Sequence, residues 1–372
     1  MENLSPYEQH LRFMQGVNAI GDIEEEGLST QFDILLSCIP NGGKLYKYRS
    51  LCGKSFKYIY DSLANGYLWL PAAKDLNDDY DSVLIEDAER ANKLFVDYIT
   101  RDKDVLIYSL LKQYGSKYWD REDLLKCIPF SDFLDVFDPV TGKMDTVGMA
   151  SLFRRYGDED KRFGQFQNVC HCLLQDFHSA MKQYTAGLFF ANILTRDSLH
   201  VYAMSESYDL GNMWGYYADS GRGFCIEYDY SRAKSLDVTA MHYLISTFKV
   251  NYTDTPQGIP AELLAEANIF QPDNPNVLQQ MQCATFDQIL TKEKCWENER
   301  EWRIVLGNID CKIPVDIVSA IIIDERALNK TNAKKLIRLC KKRDWTVKVR
   351  KSHIHNTFHS YEDLDVERKH DE

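Results

Sequence analysis

No apolar run in the chain approaches the roughly 18 residues that a membrane-spanning helix needs, and the opening Met1-Glu2-Asn3-Leu4-Ser5-Pro6 lacks the charged and apolar regions of a secretory leader. A cytoplasmic protein with no membrane partner is therefore expected. The 10 cysteines contain no CxxC pair. A chain of 372 residues does not depend on covalent staples, so reduced and mostly buried thiols are expected. Net positive charge is missing as well: 44 Lys and Arg stand against 56 Asp and Glu, leaving −12. No overall basic field draws such a protein to nucleic acid or to an anionic membrane, although local basic grooves stay open. There is no P-loop, no HExxH, no Ser-His-Asp order and no repeat at a solenoid period. Cys170-His171-Cys172 lies in a stretch that reads as helix, where positions two apart point away from each other and do not share a metal.

What is present falls into two textures. Residues 6–38 read as helical, and Pro40-Asn41-Gly42-Gly43 breaks that helix. In the following strand, 45–50, Tyr46 and Tyr48 alternate with Lys47 and Arg49, so the rings take one side and the cations the other. Residues 55–64 predict a helix stopped by Asn65-Gly66, then a strand over 67–70 and an acidic loop over 76–81. From 86 to 198 the pattern turns to helical stripes of leucine and aromatics. Strands resume at 200–205 and, after a short helix over 212–218, at 224–229, where alternation predicts one face in the core. A strand near 248–252, a polar connection over 253–275 and a helix over 277–294 lead to Glu299 and Glu301. The end reads as β-α-β over 317–323, 329–342 and 345–349. The expected fold is α/β (α+β): a mixed, twisted sheet built from 41–85 and 199–360, with an N-terminal helical segment 1–40, a helical insertion 86–198 and a polar tail 361–372.

Trp296-Glu297-Asn298-Glu299-Arg300-Glu301-Trp302-Arg303 sets two carboxylates two residues apart before an apolar run. On a strand they would share a face, which costs energy unless cations or substrate hydroxyls compensate, so the stretch is either a site or an ion-pair cluster with Arg300 and Arg303. Cleaving a nicotinamide–ribose bond passes through an oxocarbenium-like state that a nearby carboxylate stabilises. A bidentate arginine for the phosphates and a hydroxyl and aromatic ring for the base complete the parts. Candidates are Arg49 with Ser50, Ser205 and Ser207, and Tyr216 and Tyr217. Each has a plainer use: a solvated strand face, a capping turn, a helix face packed in the core. Arg222 between Gly221 and Gly223 follows a helix and enters a strand, the reverse of a dinucleotide fingerprint. His353, His355 and His359 have ligand-like spacing but fall in the polar tail, and Asn77 to Asp81 lacks the glycine and terminal glutamate of a calcium hand, so no metal ligand is assigned.

Together, Tyr48-Arg49-Ser50, Asn77-Asp78-Asp79-Tyr80-Asp81, Met213-Trp214-Gly215-Tyr216-Tyr217-Ala218 with Gly223 to Tyr228, and Lys292 with Trp296-x-x-Glu299-x-Glu301-Trp302-Arg303 resemble a bacterial and phage family. That family is catalogued as a domain of unknown function and often accompanies defence loci; Asp79 stands where its pattern tends to have proline. The order of arginine on an early strand, a serine pair after a middle strand and Glu-x-Glu opening a late strand is also similar to the arginine-serine-glutamate class of ADP-ribosyltransferases. That likeness implies an ADP-ribosyltransferase fold with NAD as substrate. It puts Arg49 on the phosphates, Ser205 at the nicotinamide, Glu301 as catalytic carboxylate and Glu299 at a macromolecular acceptor, protein or nucleic acid. A toxin-like or anti-phage effector is then expected. The alternatives are a magnesium-dependent nuclease or phosphohydrolase using Asp78, Asp81, Glu299 and Glu301, or a non-catalytic ligand-sensing module.

Overall fold

In a computed structural model of the chain, the residues described are 5–16, 25–76, 136–138, 143–156, 197–255, 258–260, 262, 263, 266, 274–307, 309–352 and 359–364. The acidic loop 77–81, most of the helical stretch 86–198, Cys170 to Cys172, and His353 and His355 lie outside them. Two compact units are present: residues 1–83, 195–256 and 289–372 form one, and 84–194 with 257–288 the other.

The first unit is built on an eight-stranded mixed sheet. Its strands are β1 (Lys44–Arg49), β2 (Leu199–Ser205), β3 (Phe224–Asp229), β4 (Thr247–Lys249), β5 (Glu301–Gly307), β6 (Val318–Asp324), β7 (Thr346–Ser352) and β8 (His359–Asp363). Across the sheet they run β8-β7-β6-β3-β1-β2-β5-β4, with β6 and β7 parallel and the other neighbours antiparallel. The longer helices described in this unit are α1 (Pro6–Gly16), α2 (Glu25–Cys38), α3 (Gly53–Asn65), α4 (Gly211–Tyr217), α5 (Val238–Ile245) and α6 (Thr331–Arg343). α6 is the crossover between β6 and β7, the right place for a helix linking parallel strands.

Local chemistry explains several of these boundaries. α3 ends at Gly66, left-handed at φ 68°, whose N–H donates to Ser62 O. Gly223 is required by packing: a Cβ there would lie 2.4 Å from Arg49 O and 2.7 Å from Ala218 Cα. It lets the turn after α4 close over the end of β1. β3 differs from the expected half-buried strand, because both of its faces are covered. Phe224 meets Phe56 of α3, while Cys225 lies with Tyr46, Tyr48 and Trp214 of α4. On that second face Glu227 is buried with Lys44 at 2.9 Å and the Ser319 hydroxyl at 2.7 Å, so its charge is compensated.

Three elements depart from the sequence expectation. The helix over 277–294 ends at Ile289, because Thr291–Glu293 pairs in parallel with Asn251–Thr253. The tail contributes β8, which pairs with β7 and carries His359 opposite Ser352. His359 Nε2 lies 2.6 Å from Arg350 Nη2, so this ring accepts from a guanidinium instead of standing in solvent as a ligand. In the second unit the described elements are a hairpin of Phe137–Asp138 with Lys143–Met144 and the helices Thr146–Tyr156 and Pro275–Ile289, so a short strand pair sits within a stretch that reads as helical. Among the described residues no helix is long and apolar enough to cross a membrane.

Candidate functional site

β1 carries the cations and aromatics in the expected alternation. Tyr46 and Tyr48 pack beneath α4, with the Tyr48 and Trp214 rings 5.4 Å apart, while Arg49 pairs in register with Phe224 on the opposite face. β2 and β5 form a long ladder in which Glu301 lies opposite Ser205. β1 and β2, by contrast, are joined among the described residues by the single pair Tyr46↔Ser205. Sheet alternation alone would put Arg49 and Glu301 on opposite faces. Both residues nevertheless border the opening beside this single pair. A cleft of about 550 Å³ sits there, lined by Lys47, Arg49, Ser205, Tyr217, Glu299 and Glu301, with Met213 and Trp296 on its walls.

The acidic end of the cleft is a buried network. Lys292 Nζ donates to Glu299 Oε2 at 2.7 Å and to Glu301 Oε2 at 2.9 Å. Arg303 Nε donates to Glu301 Oε1 at 2.7 Å, and the Tyr217 hydroxyl donates to Glu299 Oε1 at 2.9 Å. Burial pushes the Glu301 carboxyl up, but the Arg303 and Lys292 cations outweigh it and hold the group down at about 2, so it is ionised throughout the physiological range. Tyr217 is driven upward by burial and by Glu299, and it stays a donor.

Glu299 does not reach its partner by strand alternation, as the sequence suggested. It ends the 3₁₀ turn Lys294–Glu299, and Arg300 follows in the left-handed region at φ 46°, so β5 begins only at Glu301. A non-glycine residue there is strained and persists because its surroundings fix it. Ser205 Oγ donates to Glu299 O at 2.7 Å, Glu206 N donates to Arg300 O at 3.0 Å, and Glu301 N donates to the Tyr252 hydroxyl at 2.8 Å. Arg300 points to solvent; Lys292 and Arg303 are the countercharges.

The basic end is built by Lys47 and Arg49. Lys47 Nζ donates to Ala203 O across the split and sits 4.0 Å from the Tyr202 ring centroid. Desolvation pushes its ammonium well below the usual lysine range, Arg49 adds to that, and the two glutamates oppose it. Arg49 Nε is buried without a hydrogen-bond partner, while the guanidinium lies against the buried Tyr202 hydroxyl.

Of the residues singled out from the sequence, Arg49, Ser205, Tyr217, Glu299 and Glu301 converge on this cleft. Ser205 is fully buried and its hydroxyl is committed to Glu299 O. The other three do not line the cleft. Ser50 donates to Asp219 Oδ1 and accepts from Cys52 N at 2.9 Å, capping the turn into α3. Ser207 O accepts from the Tyr48 hydroxyl at 2.7 Å and its Oγ accepts from Asp209 N at 3.1 Å. Tyr216 is 73% exposed, because consecutive helix positions diverge by about 100° and Tyr217 takes the inward one. Sequence reasoning assigned no site role to Lys292, Lys47 or Trp296; the alternation of Lys47 with Arg49 was the available signal for one of them. Among the described residues no three His, Cys, Asp or Glu side chains converge in a way that could hold a metal ion.

A family model described as "Protein of unknown function (DUF2971)" matches residues 213–304. This supports the domain-of-unknown-function resemblance, and the matched stretch carries Tyr217, Lys292, Trp296, Glu299 and Glu301 but not Arg49 or Ser205. Neither the curated proteins nor the solved structures gave a match.

Proposed function

We propose that the cleft binds NAD and transfers its ADP-ribosyl group to an acceptor. The observation that carries this reading is that Arg49 and the ionised Glu301 both line one cleft at the split between β1 and β2. Its volume of about 550 Å³ lies within the roughly 300–1,000 Å³ range of small-molecule sites. An ADP-ribosyltransferase-like arrangement uses an early-strand arginine and a late-strand glutamate in this way.

In this reading Arg49, which lines the cleft with Lys47 beside it, takes the diphosphate. The aromatic walls Trp296 and Tyr217 flank the nicotinamide riboside. Both Glu301 oxygens already accept a hydrogen bond, yet a carboxylate offers about four acceptor positions, so a ribose hydroxyl can be added. As the C1′–N bond breaks, its electron pair leaves with nicotinamide, and the carboxylate stabilises the cationic ribose. The acceptor then bonds to C1′ and releases a proton, for which Glu299 is the nearby base. Lys292 and Arg303 hold the carboxylates in place, and Ser205 fixes the turn that presents them; these are positioning residues.

The test is nicotinamide release from NAD by purified protein, with and without candidate protein and nucleic-acid acceptors. Release lost in Glu301→Gln with folding retained supports the reading. No release from wild type under any acceptor, or equal release from Glu301→Gln, overturns it.

A further inference from the structure

α6 is unusual for a chain with a net charge of −12: from Thr331 to Arg343 it holds six basic residues and no acidic one. Its apolar positions Ala333, Leu336, Leu339 and Cys340 are buried. Lys334, Lys335, Arg338, Lys341 and Lys342 are exposed. At 3.6 residues per turn and 1.5 Å rise these five fall within an arc of about 120° and a length of about 12 Å, a single stripe of positive charge. Lys334, Lys335, Arg338 and Lys342 form no ion pair with another described residue, and each is left to solvent. Arg343 is different: it is tied to Asp316 at 3.3 Å and to Ala64 O at 2.8 Å, and it anchors the helix.

We infer that the α6 stripe is a docking surface for the phosphodiester backbone of a double-stranded nucleic acid. A closely spaced row of cations, four of which (Lys334, Lys335, Arg338 and Lys342) have no countercharge among the described residues, is the pattern that phosphate neutralisation requires. An anionic membrane fits less well, because interfacial helices insert an apolar face and that of α6 is already used against the sheet. A protein partner fits less well too, since the stripe offers no exposed aromatic or apolar centre for an interface core. The start of α6 is fixed by Asn332 Nδ2, which donates to Leu51 O at 2.8 Å. The inference stands on charge placement and does not depend on the chemistry proposed for the cleft.

The experiment is fluorescence anisotropy of the full chain with labelled DNA and RNA duplexes, between about 50 and 200 mM salt. Four phosphate contacts give a slope of log K on log salt near −3.6, or a roughly 100-fold loss of affinity over that range. Lys334→Gln/Lys335→Gln/Arg338→Gln should flatten the slope by roughly 3 units. The charge-matched control Lys74→Gln/Lys234→Gln/Lys294→Gln, three exposed and ion-paired lysines elsewhere, should flatten it by less than about 1. Absence of duplex binding at low salt overturns the inference, as does equal loss in the two variants. Stripe-dependent flotation with phosphatidylserine vesicles, or stripe-dependent self-association in sedimentation, without duplex binding, also overturns it.

Discussion

Replacing Lys292 with methionine tests the physics of the acidic end of the cleft. The Lys292, Glu299 and Glu301 side chains are 10%, 5% and 7% exposed, so this is a buried ion cluster. Methionine keeps most of the volume and removes the charge. Glu301 retains Arg303 at 2.7 Å, while the Glu299 carboxylate keeps only the Tyr217 hydroxyl, at 2.9 Å, among the described residues. Removing one partner of a buried pair strands a charge and costs about 3–5 kcal/mol, roughly two to four orders of magnitude in the folded-to-unfolded ratio. Urea unfolding followed by tryptophan fluorescence reads the loss as a lower midpoint. One further result is expected: Lys292→Met/Glu299→Gln should recover at least about 1 kcal/mol of the single-variant loss. A loss below about 1 kcal/mol, as for a surface pair, or a double variant no better than the single one, would refute the reasoning.

Other expectations follow from the same geometry. The Glu301 carboxyl is lowered from its ordinary 4.5 to about 2, so the stability it contributes is complete above the unfolded value and is lost as pH falls from about 4.5 towards 2; Glu301→Gln should flatten acid unfolding in that window. His10 is fully buried, with its ring 5.5 Å from Phe248, and burial lowers it from 6.5 to about 4. The unfolded chain therefore binds the extra proton first, stability should fall as pH drops from about 6.5 to 4, and His10→Phe should remove that slope in urea titrations. Gly223→Ala drives a methyl into Arg49 O and Ala218 Cα, backbone atoms that cannot swing away. It should cost about 1–3 kcal/mol of overpacking strain, measured by thermal unfolding, and a variant as stable as wild type would contradict the packing.

The legible parts of the sequence were those whose pattern is local. Tyr46, Lys47, Tyr48 and Arg49 alternate because β1 is a true two-faced strand, and the β-α-β end announced itself through a basic amphipathic α6 between apolar runs. Asn65-Gly66 stopped α3 because only a left-handed residue fits there. What escaped was set by distant pairing. The strand at 291–293 exists because Asn251–Thr253 lies beside it, and that pairing delivers Lys292 to the two glutamates. Arg300 leaves the strand region because Ser205 and Glu206 hold its turn from another strand. The split between β1 and β2, which Arg49 and Glu301 both border, has no signature in either strand alone. Arg49 and Glu301 were paired from their order in the chain, whereas Ser50, Ser207 and Tyr216 were named by proximity to that order and serve local caps or solvent.

The central claim is that one cleft holds NAD between Arg49 and Glu301, and equilibrium dialysis with labelled NAD tests it most directly. Saturable binding by wild type at one molecule per chain is expected, weakened at least about tenfold in Arg49→Ala, as loss of a charge-assisted phosphate contact implies. Glu301→Gln should weaken binding less than Arg49→Ala does, because the amide oxygen still accepts from a ribose hydroxyl. No saturable binding by the wild-type chain, or binding untouched by Arg49→Ala, would contradict the account.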